Sequence, residues 1–302
     1  MVEEPLLNVK EAIERYKHLL SPHPSFGTDI YANDFRAEGI VLIEDVSGNA
    51  KGEPIRFDCY ALILRLKGSS KRRVSLLEYM IEPRSLQLIN PGALFSFEDI
   101  SPNTRSFVLL FDKAFIEEEN LSKPIIEALI HFHKRYDENI QLDLKLYAQI
   151  LDIYEQINAE FRIKASDHLA LIKNYLNQLL YLLKREKERL HAQNSPTRSE
   201  QLCANFLSLI EEHFKTKKRV YEYAHILEIT PNYLSEITQE NLDDTALSFI
   251  HRRILKESEY LLSNTKMAIN QIALKLHFDS ASQFGRFFKH HNGVSPKVFR
   301  TR

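Results

Sequence analysis

The spacing of hydrophobic positions changes along the chain, and each change predicts a different kind of element. Between residues 28 and 111 the apolar residues gather in short runs rich in β-branched and aromatic side chains: Gly39 to Glu44, Tyr60 to Leu66, Leu86 to Ile89 and Phe107 to Phe111. Turn residues separate them at Ser47-Gly48-Asn49, Lys67-Gly68-Ser69-Ser70 and Asn90-Pro91-Gly92. Short strands punctuated this way predict a small barrel or jelly roll. From 112 to 192 the period becomes helical. Leu121-Ser122-Lys123-Pro124 predicts one helix start, with proline tolerated in the first turn. Residues 140–161 predict a second helix and Ser166 to His191 a third. The third carries Leu169, Ile172, Leu176, Leu179 and Leu183 at spacings of three and four. That stripe can pack on its own domain or on a second copy of the chain, which makes a homodimer an expectation. Residues 192–199, AQNSPTRS, have the composition of a linker.

A chain of 302 residues is long enough for two domains. The expected division is 1–192, with helices over 112–192, a linker at 193–199, and 200–302. The fold class is α+β: a β-barrel with helices, then an all-α domain. The N-terminal stretch MVEEPLLNVKEAIERYKHLL is charged throughout and reads as an amphipathic helix rather than a leader. Nowhere do eighteen apolar residues run together, so no membrane span is expected. Two distant cysteines, Cys59 and Cys203, make neither a disulfide framework nor a zinc knuckle, and a cytoplasmic protein fits. Net charge is −1, yet its distribution is uneven. Residues 1–198 hold 26 basic and 29 acidic side chains, residues 199–250 hold 4 and 9, and residues 251–302 hold 10 and 3. A basic end on an acidic chain is either a solvated tail or the footprint of an anionic partner.

Pattern in the last hundred residues favours the second. Val220, Tyr223, Ala224 and Leu227 stand at relative positions 0, 3, 4 and 7, and Ile269, Ile272, Ala273 and Leu276 repeat that spacing 49 residues later. Each set is one face of a short helix, with alanine where a second helix must come close. A fresh helix start follows each: Thr230-Pro231, a cap and an N-terminal proline, and Ser280 with Gln283, a capping box. The following helices align at an offset of 50, Leu234 with Phe284 and Ile237 with Phe287. Two short helices joined by a tight turn are the signature of a helix-turn-helix. Two such units, about 218–242 and 266–292, joined by a long helix from Thr245 to Leu262, are far more specific than one.

The stretch INQIALKLHFDSASQFGRFFKHHNGVSPKVFR resembles the second helix-turn-helix of the AraC/XylS family of bacterial transcription regulators. The match lies in the Ile-x-x-Ile-Ala helix, the Phe-Asp-Ser turn, the Phe-x-Arg-x-Phe-Lys core and the closing Gly-x-Ser-Pro. The resemblance implies double-stranded DNA as partner, with two recognition helices in successive major-groove segments and regulation of transcription. It also implies RNA polymerase as a further partner. In the second unit Phe284, Phe287 and Phe288 are the anchors, which leaves Ala281, Ser282, Gln283, Gly285, Arg286 and Lys289 facing outward. Arg286 suits bidentate reading of guanine; a phosphate clamp or an intramolecular ion pair is its other role. Gln283 can instead be occupied as a capping acceptor. Ser282 and Ala281 complete the reading face, and Lys289, Lys297, Arg300 and Arg252 suit phosphate. The first unit departs from the family: Glu236 and Gln239 replace Arg286 and Lys289, and Asn241-Leu242-Asp243-Asp244 stands where a glycine is usual. Asn232, Tyr233, Ser235 and Glu236 are its candidate readers. Loss of DNA binding by this unit, making the helices a protein-interaction module, is the rival reading.

The strand region is similar to the cupin-like sensor barrels of the same family, which implies a small-molecule effector in the N-terminal domain. Between His23 and His131 there is no histidine, so the barrel lacks imidazoles for a transition metal, and neither a metal nor another cofactor is expected. His131 and His133 make a poor metal pair on a helix. No Gly-x-Ser-x-Gly elbow, phosphate-cradling loop or Cys–His pairing suggests an enzyme. Arg56, Tyr60 and Arg65 could orient an effector; alternatively Arg65 faces solvent and Tyr60 packs in the core. Cys59 reads as a small buried hydrophobe.

Overall fold

The apolar runs read from the sequence become neighbouring strands of one sheet. The computed structural model describes residues 6–17, 26–33, 35–46, 50–117, 139–193 and 196–301, in two compact units, Pro5–Ser195 and Pro196–Arg302. In the first unit β1 (Ile40–Asp45), β3 (Cys59–Lys67), β6 (Ser85–Ile89), β8 (Arg105–Asp112) and β9 (Asn139–Gln141) form an antiparallel sheet in the order β1-β8-β3-β6-β9. A second antiparallel sheet, in the order β2-β7-β4-β5, comprises β2 (Lys51–Arg56), β4 (Ser70–Val74), β5 (Leu77–Ile81) and β7 (Leu94–Asp99). The strand region expected to form a barrel is therefore two antiparallel sheets rather than one closed barrel.

The first sheet is largely apolar because both of its faces are covered. Along β3, Tyr60, Leu62 and Leu64 enter one core, while Cys59, Ala61 and Ile63 enter another. The first core is completed by α2 (Lys113–Glu117), α3 (Leu144–Ile163) and α4 (His168–Gln193), through Phe115, Ile153, Tyr154, Ile172 and Leu179 among others. The second core takes Ile55, Val74 and Phe95 from the second sheet and Val9 and Ile13 from α1 (Val9–Tyr16).

Two expectations change. The helix predicted from residue 140 starts at Leu144, where Asp143 accepts from the Leu146 amide at 2.8 Å; residues 139–141 instead pair with β6 as an edge strand. The α4 stripe is spent inside its own unit: Ile172, Leu176, Leu179 and Leu183 are buried in the first core, and Leu169 packs against it. The outward side of α4 presents Leu171 and Tyr181. The helix start at 121–124, the Ser47-Gly48-Asn49 turn and the pair His131 and His133 lie outside the described residues.

The second unit is all helix: α5 (Arg198–His213), α6 (Val220–Ile226), α7 (Pro231–Leu242), α8 (Ala246–Asn264), α9 (Ile269–Lys275), α10 (Ala281–Asn292) and α11 (Pro296–Arg300). Among the described residues no helix is long and apolar enough to cross a membrane.

Candidate nucleic-acid interface

The internal duplication is reproduced bond by bond. At the end of α6, amides of Leu227, Glu228 and Ile229 donate to carbonyls of Tyr223, His225 and Ala224; at the end of α9, amides of Leu276, His277 and Phe278 donate to Ile272, Leu274 and Ala273. Glu228 (φ 55°) and His277 (φ 52°) take the left-handed conformation that closes each helix. Ala224 and Ala273 are buried at the crossings, where a larger side chain would hold the helices apart. The next helices start on Thr230, whose hydroxyl accepts from the Tyr233 amide at 3.1 Å, and on Ser280, which accepts from Gln283 at 3.1 Å. They end on left-handed residues 50 positions apart, Asp243 (φ 55°) and Gly293 (φ 85°). α6–α7 and α9–α10 are thus two copies of one helix-turn-helix.

α8 holds the units together. Its Arg253 is buried, donates from Nε to Glu211 of α5 at 2.7 Å and from Nη1 to Glu257 at 2.8 Å, and lies 3.8 Å from the Phe214 ring centroid. Burial alone would lower the guanidinium pKa; the two carboxylates outweigh it and raise it. From the second unit, Asn292 donates to Glu259 of α8 at 2.6 Å and Arg300 Nε to the Leu262 carbonyl at 3.4 Å.

The outward faces of the two reading helices differ in charge. On α10, Phe284 and Phe288 are fully buried and Phe287 is half-buried against Phe278 and His251. Ala281, Ser282, Gln283, Arg286 and Lys289 are exposed together on the other side. Gln283 Oε1 accepts from the Asp279 amide at 2.9 Å, so its acceptor is engaged at the start of α10. On α7, Asn232, Tyr233, Glu236, Gln239 and Glu240 are exposed, and Ser235 is turned back onto the Pro231 carbonyl at 2.9 Å. The α7 segment PNYLSEITQENL contains no lysine or arginine.

The phosphate candidates divide. Lys289 and Lys297 are exposed. Arg252 forms an ion pair with Asp244 and stacks on Phe249 at 4.9 Å, and Arg300 is half-buried on the end of α8. Asp244 also accepts from the Ser248 hydroxyl at 2.8 Å and the Thr245 amide at 2.7 Å, so its charge is largely compensated within the domain. Sequence reasoning gave no role to Lys218, which reaches across from the first unit to the turn of the second.

A family model described as a helix-turn-helix domain matches residues 223–302. The Arabinose operon regulatory protein of Salmonella typhimurium is 26% identical over 255 residues, covering 82% of this chain and 85% of that protein. The C-terminal unit is a helix-turn-helix domain of the AraC type. The Msm operon regulatory protein of Streptococcus mutans is also 26% identical to this chain, over 156 residues; the match covers 52% of this chain and about half, 55%, of that protein. A solved structure of ToxT from Vibrio cholerae with an unsaturated fatty acid bound is 16% identical, covering 88% of this chain and 96% of its own, with a TM-score of 0.41. In the AraC-type domain of this chain, cations and polar groups converge on one face of α10, the side from which a helix of this size enters a major groove.

Both cysteines are buried. Burial first, then Asp112 and Asp58, pushes the Cys59 thiol up to about 12, and burial with Glu200 pushes Cys203 up to about 11. Such thiols stay protonated and unreactive. Among the described residues no group of three or more His, Cys, Asp or Glu could hold a metal ion.

Proposed function

We propose that this protein is a sequence-specific transcription regulator, not an enzyme, that acts in the cytoplasm and reads double-stranded DNA mainly through α10. The carrying observation is the contrast between the two exposed faces: Arg286 and Lys289 on α10 against Glu236, Glu240 and Asp243 on and beside α7. Arg286 reads a base, Gln283 and Ser282 contribute polar contacts, and Ala281 offers an apolar surface to a thymine methyl. Lys289 and Lys297 contact phosphate. Asn232 and Tyr233 supply weaker contacts from the first unit, and Glu236 can accept from a cytosine amino group. RNA polymerase is the expected downstream partner.

The N-terminal unit, residues 1–192, is assigned to sensing. A cavity of about 70 Å³ lies between its sheets beside α1, walled by Ile13, Tyr16, Ile63, Phe95 and Phe97. Arg72 lines it while buried, with Nη1 on Gln87 at 3.1 Å and Nε without a hydrogen bond. Burial, then Arg65, lowers its pKa to about 9 against the pull of Asp45 and Asp99. A buried donor on an apolar cavity suits a small effector carrying an acceptor oxygen. Of the sequence candidates, Arg65 is fully buried rather than solvent-facing, bonded to Ser70 at 2.5 Å, and Tyr60 packs in the core on Phe111.

Selection from a random double-stranded pool by the full chain tests this reading, with and without cell extract as an effector source. Arg286→Ala should cost about 1–3 kcal/mol and relax preference at one base pair. Equal loss on every sequence would make Arg286 a phosphate contact instead. The cation-free face of α7 favours a second reading, a protein-interaction module. Absence of any enriched site and a flat dependence of binding on salt would support that module, because phosphate contacts release counterions.

A further inference from the structure

Two reading heads on one domain fit one DNA duplex only if the angle between them is held. α8 supplies part of that hold, packing on the helices of both units. A second connection lies at the turns. Lys218 precedes α6, and its backbone is clamped to the first unit: the amides of Lys218 and Arg219 both donate to Glu222 Oε2, at 2.9 and 2.8 Å. The neighbouring Lys217 carbonyl accepts from the buried Tyr223 hydroxyl at 2.9 Å. The Lys218 side chain leaves that clamp and donates to the carbonyl of His277, the left-handed residue of the second unit's turn. Its ammonium lies 3.9 Å from the Phe278 ring centroid. Phe278 is buried and packs at 5.4 Å on Phe284 and 5.3 Å on Phe287, the side chains that seat α10.

The duplication makes this contact one-sided. Displaced by 49 residues, Lys218 falls on Met267, which has no ammonium to offer a turn. The lysine is therefore additional to the repeated fold. Both its hydrogen bond and its cation–ring contact end on the segment that launches α10. Partial burial lowers its pKa, while Asp279 and Glu222 nearby favour the charged form.

We infer that Lys218 is a positioning residue that fixes the second reading helix relative to the first and so sets the spacing of the DNA elements the domain accepts. This rests on the reading of the domain as a DNA binder, and the test separates the two. Lys218→Met in the full chain keeps the aliphatic stem and removes the ammonium. On a selected two-element site the variant should bind about tenfold more weakly, with binding to an α10 element alone kept within about twofold. Insertion or deletion of one base pair between the elements should penalise the parent more than the variant. Lys218→Arg should restore most of the spacing preference, and a general folding defect would instead weaken every site equally. A DNA-independent arm uses spin labels at Gln239→Cys and Lys289→Cys, with Cys59 and Cys203 buried. Lys218→Met should broaden the distance distribution between α7 and α10. An unchanged distribution and an unchanged spacing preference would overturn the inference. A parent that binds no DNA, with a distribution that still broadens, would sink the DNA-binding reading and leave Lys218 as the strut between the units.

Discussion

At the scale of single residues, α10 carries a position that helix stability does not explain. Gly285 lies in the middle of the helix, where glycine costs about 1 kcal/mol relative to alanine. Nothing lies within 4 Å of where its Cβ would stand, so packing inside the domain does not ask for glycine. In the proposed DNA complex, close approach of a DNA backbone supplies the reason. Gly285→Ala should raise the melting temperature and weaken DNA binding together, read by thermal unfolding and by titration of a selected site. Asp243 poses the same question from the other side. It occupies the left-handed closing position that Gly293 fills in the second unit, and aspartate is among the few side chains that adopt it at modest strain. The sequence lacks the usual glycine at this turn; the structure ends α7 on an acidic residue in the left-handed conformation.

At the scale of elements, α8 and α10 share a cluster of imidazoles. His251 lies 4.9 Å from His291 and 5.4 Å from Phe287, and His291 lies 4.8 Å from His290 and 4.6 Å from Phe287. Burial first, and then His291 and His290, lowers the His251 pKa; burial and then His290 lowers that of His291. Folded values below the free imidazole value near 6.5 mean that the unfolded chain binds more protons below that pH. Their contribution to stability is complete above pH about 6.5 and is lost as pH falls through the lowered folded values. The seating of α10 should therefore weaken in acid. Thermal unfolding between pH 7.5 and 5, conditions set by that imidazole range, should show a falling melting temperature, and His251→Gln should flatten the dependence. An acid-independent melting temperature in the parent would remove this account.

For the whole molecule, the charge asymmetry read from the sequence overstates the cations available to DNA. Arg252, Arg253 and Arg300 are among the ten basic residues of the last segment, and all three are engaged inside the domain. Lys218 is engaged as well. Self-association is also narrowed by packing. The leucine stripe of α4 is buried, so charging Leu176 or Leu183 would unfold the N-terminal unit rather than test a dimer. The outward Leu171 and Tyr181 remain, at 36% and 44% exposure. If the protein is a homodimer through α4, sedimentation should give twice the chain mass. Leu171→Glu with Tyr181→Glu should then halve it at unchanged melting temperature; a parent that sediments as a monomer contradicts the dimer.

The four strands legible as apolar runs, β1, β3, β6 and β8, are all in the sheet covered on both faces, where most positions are buried. The second sheet was largely unread. β4 is Ser-Lys-Arg-Arg-Val and β2 is Lys-Gly-Glu-Pro-Ile-Arg, strands whose pairing comes from neighbours rather than from their own hydrophobicity. The tandem helix-turn-helix was written in the sequence because its signals are local: caps, a helical apolar face and a small residue at each crossing. The outward placement of Arg286 and Lys289 followed from the same periodicity. Tertiary structure alone decided which charges are free. Pairing of Arg252 with Asp244, the bond from Arg253 to Glu211 on another helix, and the reach of Lys218 to a carbonyl 59 residues away join parts of the chain that no helical spacing rule connects. Local periodicity fixes which way a side chain points on its own helix; only folding determines what is waiting there.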